Sequence, residues 1–217
     1  MQFSLTPYAG LQWSDLWFIL EGGLSTILLS VVSGAAGTIL GCALGWLRER
    51  SPVFSWLMAF PVDVIRSVPL IIQFILVNSL FSALGVPLDP LEVGLLTLSL
   101  YMGMQTSELV RAGIRAVPVQ LQKAGRSLGM TGWQVERCIT VPLVLRTMLP
   151  AWIGTLIGLT KDTALVSVVG YIELLRAAQI VITRSNEALL ILLGVGLFYF
   201  VICYPISKYG RWLEQRI

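Results

Sequence analysis

The sequence contains no histidine, and its three cysteines, Cys42, Cys138 and Cys203, show no CxxC spacing. A His-based catalytic triad is thereby excluded. Because the carboxylates are scattered rather than clustered at ligand spacing, no metal site is expected, and the cysteines read as small apolar residues. Charge is scarce, at 12% of residues against 56% hydrophobic. Lysine is scarcer still: Lys123, Lys161 and Lys208 follow Gln122, Thr160 and Ser207, so the chain has no Gly-Lys-Ser/Thr turn to cradle a nucleotide's phosphates. No catalytic residue is assigned. Internal repeats and low-complexity linkers are missing too. Before the first apolar run stand Asp15 and Glu21 but no Lys or Arg, so the basic start of a signal peptide is lacking and that run is expected to be retained.

What is present is apolar helix. The mean hydropathy is +0.80, far from soluble globular usage. A bilayer core of about 30 Å needs about 20 apolar helical residues. Five spans are predicted on that basis, at 23–47, 54–84, 93–110, 148–172 and 188–207. The expected fold class is all-α, a polytopic membrane protein of five transmembrane helices. Residues 1–217 form one domain, with a polar loop at about 111–147.

The basic residues orient it. Two (Arg48, Arg50) follow span one, six lie between spans three and four, and three (Lys208, Arg211, Arg216) lie in the tail, eleven in all, against Arg176 and Arg184 on the other side. The positive-inside rule puts the N-terminus outside and the loop and C-terminus in the cytoplasm. The net charge of +3 is thus distributed by loop and does not suggest nucleic acid.

Span one carries SGAAGTILGCALGW, in which Ser33, Gly37, Gly41 and Gly45 recur every four residues. Such a stripe admits close approach of another helix, from within this chain or from a second protomer. Asp63, Arg66, Glu108, Lys161 and Asp162 lie in or near the spans, where charges need partners or water. Asp63 with Arg66, and Glu108 with Arg111, are spaced to pair along one helix face. If span four begins near Leu149, Lys161 lies about 18 Å along it, near the midplane where transporters place substrates. A cavity with both signs of charge suits a zwitterion. The candidates for the substrate pathway are Arg66, Gln73, Lys161, Asp162 and Thr163, with bracing of neighbouring helices as the competing role for Lys161 and Asp162.

In the loop, residues 119–129 are predicted to form a short helix ended by Gly129 in a left-handed conformation, with Thr131 capping a second helix toward Pro142. The segment LQKAGRSLGMTGWQVERCITVP resembles the "EAA…G…I-LP" loop of inner-membrane permease subunits of bacterial ABC importers. Lys123, Ala124 and Gly125 stand at the EAA positions, Gly129 at the fixed glycine, and Ile139 to Pro142 at the I-x-L-P end. IRSVPLIIQ (65–73) and KDTALVSVVGYIELLRAAQ (161–179) are similar to segments of the polar amino-acid branch of that family. Lys123 replaces the acidic residue that opens the motif, and Gly125 its second alanine.

The resemblance implies a coupling helix that sits in a cleft of a cytoplasmic ABC ATPase dimer, with ATP and Mg on that partner and no cofactor on this chain. It implies a second permease subunit, identical or sister, and an extracytoplasmic solute-binding protein that delivers a small-molecule substrate, a polar amino acid or related zwitterion. The expected setting is the lipid bilayer of a bacterial inner membrane. A passive channel and a non-transporting assembly subunit are the rival readings; the channel gives no reason for the spacing within 123–142, and the assembly subunit would tolerate loss of the midspan charges.

Overall fold

The computed structural model describes residues 10–216, which form a bundle of helices; no strand occurs among them. α1 (Trp13–Arg50) is 38 residues long. It is opened by a reciprocal pair in which the Gln12 N–H donates to Asp15 Oδ2 at 2.9 Å. α2 (Pro52–Ser67) and α3 (Leu70–Ala83) follow, then α4 (Pro90–Ala116) and the short α5 (Val119–Ser127). α6 (Gly132–Val135) passes through a π-helical turn, Glu136–Thr140, into α7 (Val141–Asp162). A 3-10 turn at Thr163–Val169, α8 (Leu174–Ser185) and α9 (Ala188–Glu214) complete the chain.

The small-residue stripe of α1 packs inside this chain. Ser33, Gly37, Gly41 and Gly45 are all buried, and a Cβ at Gly41 would lie 2.5 Å from the Gly103 carbonyl oxygen of α4. At Gly37 and Gly45 it would meet Met102 Cβ at 2.6 Å and the Ser107 carbonyl at 2.6 Å. The glycines therefore set the distance between α1 and α4, as small residues do where two backbones meet in a membrane. Around that seam Leu29, Leu70, Phe74, Leu98, Met102, Leu159 and Val166 close the main core. The apolar face of α9, with Leu189, Leu193, Leu197 and Val201, stays exposed, as suits a surface solvated by lipid.

Two predicted spans are corrected. Residues 54–84 are not one helix: α2 and α3 meet at an angle of 112°, because Pro69 has no N–H to continue the ladder and forces Val68 into extended backbone (ψ 131°). Span four does not run to 172. Its α-helix starts at Val141, in continuity with α6, and ends at Asp162, the chain tightening to 3-10 geometry until Gly170 takes φ +94°. The second loop helix is accordingly the first turn of span four rather than a separate element.

Segments 13–50, 132–169 and 188–214 are long and apolar enough to cross a membrane, and the bent pair passes the same test only when its two helices are taken together. α4 has the length, 27 residues, but carries Glu92, Glu108, Arg111 and Arg115. The count of five spans is therefore not established by length and composition.

Candidate functional site

At the end of the bundle where α1 finishes, α5 and α6 fold into a compact hairpin outside the packed helices. Its shape is locally dictated. The Leu128 N–H donates to the Ala124 carbonyl at 3.1 Å and the Met130 N–H to the Gly125 carbonyl at 3.1 Å, while Gly129 takes φ +85°. This is the left-handed helix ending that glycine permits. Thr131 then opens α6 with a reciprocal cap: the Gln134 N–H donates to Thr131 Oγ1 at 3.3 Å and the Thr131 N–H to Gln134 Oε1 at 2.7 Å.

Gly125 is the one buried residue of α5. A Cβ there would lie 2.8 Å from Ile139 Cδ1 and 3.1 Å from Met130 Sδ, so glycine lets α5 close against the following turn. The residue that departs from the motif's alanine thus has a packing reason, and Gly125 and Ile139 are brought into contact. Lys123, Ala124, Gly129 and Pro142 are exposed, the last of them near the start of α7 beyond the π turn. Beside them Leu128 is 84% and Trp133 70% exposed. Sequence reasoning passed over both; their signal was an apolar residue on either side of a glycine turn in an otherwise polar loop.

Ionic contacts tie the hairpin and helix ends together. Glu136, in the π turn, accepts from Arg50 at 3.1 Å, and Arg50 also lies over the Trp46 ring. Arg48, only 3% exposed, reaches Glu108 at 2.5 Å and donates to Ser107 Oγ at 3.2 Å. Arg111 meets the same Glu108 oxygen at 3.1 Å, as its i, i+3 spacing predicted, and donates to Ser55 Oγ of α2 at 3.3 Å. Arg115 Nε donates to both oxygens of Glu49 at 3.1 Å. Glu108 and Arg111 together thereby link α1, α2 and α4. The Arg48 partnership spans 60 residues of sequence and left no local signal.

The polar residues nominated within the spans are not brought to one place. Arg66 does not turn to Asp63. Its Nε donates to Gln105 Oε1 at 3.2 Å, and Gln105 in turn donates to the Tyr101 hydroxyl at 3.3 Å, a polar chain from α2 to α4. Gln73 commits both amide protons to the backbone, donating to the Ile65 carbonyl at 2.7 Å and the Val68 carbonyl at 2.8 Å.

Lys161 is the penultimate residue of α7, a helix that begins at Val141 rather than near Leu149. It shares a hollow of about 370 Å³ with Tyr199, Phe200, Cys203 and Tyr204 from the middle of α9. The side chain is exposed and forms no ion pair among the described residues. Asp162 is half-buried beside it. Thr163 is fully buried and donates to the Thr160 carbonyl at 2.8 Å.

Glu173 was not foreseen. It is fully buried and caps α8, accepting from the Leu175 and Arg176 N–H groups at 2.8 and 2.7 Å. The following N–H, of Leu174, donates to Thr26 Oγ1 of α1 at 3.2 Å.

Comparison with known proteins gives the same outline. Residues 37–217 match the family described as "Binding-protein-dependent transport system inner membrane component". The L-cystine transport system permease protein of Bacillus subtilis (strain 168) is 33% identical over 207 residues, 94% of this chain and 88% of that protein. The glutamine transport system permease protein of Escherichia coli (strain K12) is 30% identical over 212 residues, 94% and 97% of the two chains. Among solved structures, an amino acid ABC transporter crystallised with histidines superposes with a TM-score of 0.84 at 25% identity, covering 96% of this chain and 100% of that one.

Proposed function

The chain belongs to the family of inner-membrane components of binding-protein-dependent transport systems, and from that premise we propose that it carries a polar amino acid or related small zwitterion into the cell. It is a multi-pass membrane protein and the translocation subunit of an ABC importer rather than an enzyme in its own right. Subunits of this kind work with an ATPase and a solute-binding protein. In our reading two permease subunits, each a single transmembrane domain, form the pathway in a bacterial inner membrane. A cytoplasmic ATPase dimer holds ATP and Mg, and the binding protein delivers substrate from outside. The N-terminus faces out and the C-terminus in, following the placement of the basic residues.

The observation that carries this reading is the hairpin at 119–140. It stands clear of the bundle, is locked by its own caps, and presents Leu128 and Trp133 to solvent. In our reading these two side chains, on an otherwise polar element, are what a partner protein grips. Lys123, Ala124, Gly125, Gly129, Ile139 and Pro142 form or support that contact with the ATPase. Through Glu136 and Arg50 its motion reaches α1, and through the π turn and α7 it reaches Lys161 and Asp162. Those two charges supply both signs for a substrate's ammonium and carboxylate groups, and Arg66, held apart from them by Gln105, lines the pathway separately. Gln73 and Thr163 support the backbone around the pathway. Alternating access is driven by ATP bound to the partner.

The test is co-expression with a candidate ATPase and binding protein from the same organism, reconstitution in proteoliposomes, and measurement of ATP hydrolysis with and without amino acids. Stimulation by one amino acid, with its ATP-dependent accumulation, is the expected result. Solute conductance without nucleotide would establish a passive channel instead.

A further inference from the structure

We infer that Gln73 is a positioning residue for transport: its amide clamps the break between α2 and α3 and makes that break the pivot on which α2 swings. At the end of α2 the bend deprives carbonyls of their helical donors, those of Ile65 and Val68 among them. That of Ile65 would take the N–H of residue 69, which is proline, and that of Val68 is turned away by its own extended backbone. The Ile72 and Gln73 N–H groups go instead to the Pro69 carbonyl, at 2.9 and 3.2 Å. Within a span, where water does not replace a lost partner, such carbonyls must be satisfied from inside the protein. The two protons of Gln73 Nε2 do so, at 2.7 Å to Ile65 and 2.8 Å to Val68. The side chain of α3 thus stands in for the missing stretch of backbone.

The two helices it joins are held very differently. α3 is anchored by Leu70 and Phe74 in the main core, whereas Val62 is the single buried residue of α2. Behind the bend Val64, Val68, Leu76 and Leu100 enclose a hollow of about 200 Å³ with Gln73 and Thr97. The Thr97 hydroxyl, buried there, has no partner. α2 therefore has both the freedom and the room to rotate while α3 stays fixed. A rotation that keeps both amide bonds turns about Gln73. At its far end α2 meets Arg111 through Ser55, so the lever is linked to the ionic network next to the docking hairpin.

The structural half of this proposal stands by itself; the functional half rests on the transport reading. In a variant whose Cys42, Cys138 and Cys203 are replaced by serine, spin labels at the exposed positions Phe60 and Leu80 report the bend by dipolar spectroscopy in nanodiscs. At 1.5 Å per residue the two backbones lie about 17 Å apart across the present angle, and about 30 Å apart in a continuous helix. Gln73→Leu, which keeps bulk and removes both donors, is expected to broaden the distribution toward the longer distance. Gln73→Leu with Pro69→Ala, which returns an N–H to the Ile65 carbonyl, is expected to settle near the long one.

In proteoliposomes of the full complex, Gln73→Leu lowers the maximal uptake rate about tenfold without raising the half-saturating substrate concentration, the pattern of a residue that acts away from the substrate. Gln73→Asn, too short to reach both carbonyls, falls between. If Gln73→Leu does not assemble, the double variant and Gln73→Asn carry the test. Equal distance distributions in wild type and variants would overturn the clamp, and an altered distribution with unchanged maximal uptake would overturn the positioning role. A raised half-saturating concentration with an unaltered distribution would place Gln73 on the substrate. Absence of uptake by the wild-type complex refutes the transport reading and leaves the distance result to be judged separately.

Discussion

At Gly129 a single dihedral sets the shape of the hairpin at 119–140. A Cβ at that position would meet nothing within 4 Å, so the objection to a larger residue is conformational. A β-branched side chain held at φ +85° costs on the order of 1–3 kcal/mol. Gly129→Val is expected to leave membrane levels near normal while the ATPase no longer co-purifies and uptake is lost. Gly129→Asn, which tolerates the left-handed region, keeps most of both. Normal substrate-stimulated hydrolysis in the valine variant would reduce the hairpin to a connector. Lys161 and Asp162 make a second case. A hydrogen bond to a charged group is worth about 1.5–3 kcal/mol. Lys161→Met or Asp162→Asn should therefore lower uptake about tenfold or more at low substrate, in a complex that still purifies intact. Dissociation of the complex in either variant would make the pair a helix brace. Gly129 was legible because a helix stop is a local event. The reason for Gly125 was not, since it depends on where Ile139 arrives after a turn.

Helices α1 and α4 are joined by a seam of glycines over most of its length and by charge at its end. Removing one partner of a buried ion pair costs about 3–5 kcal/mol, because the other charge is left in place without water. Glu108 is 28% exposed and Arg48 3%, so the lower part of that range applies to Glu108→Gln. At about 2–4 °C per kcal/mol for a chain of this size, the detergent-solubilised protein should unfold some 5–10 °C lower. Arg48→Met with Glu108→Leu should recover much of the loss, since apolar packing often replaces a buried pair at no net cost. A midpoint unmoved by Glu108→Gln would show that Ser107 suffices to hold Arg48. The same seam explains why the small-residue stripe was readable and its partner was not. A period of four marks one face of a helix, but whether α4 or another protomer covers that face is a question of tertiary contact.

For the whole molecule, the eleven basic residues against two on the other side predict which loops face the cytoplasm. Cys138 is exposed in the hairpin and is a native probe. It should react with an impermeant thiol reagent only after lysis. Pro87→Cys in a Cys138→Ser background should react in intact cells. The opposite pattern would invert the orientation. A cysteine at Gln134 is a poorer reporter, since that side chain completes the Thr131 cap.

What the sequence determined by itself was whatever depends on composition and short spacing: the membrane as solvent, the charge asymmetry, the caps at Gly129 and Thr131, and the lack of a Gly-Lys-Ser/Thr turn. These follow from transfer free energies and from hydrogen bonds between residues a few positions apart, which a linear reading contains. The tertiary structure decided what rests on distant partners. It directed Arg48 to Glu108 and Arg66 to Gln105 rather than Asp63. It buried Glu173 at the start of a helix that hydropathy had passed over as a loop, and broke one predicted span at Pro69 with Gln73 across the gap. A proline in an apolar run is visible in sequence. Whether the chain kinks, stops or turns through 112° there depends on which side chain reaches the freed carbonyls, and that is settled only when α3 packs against the core.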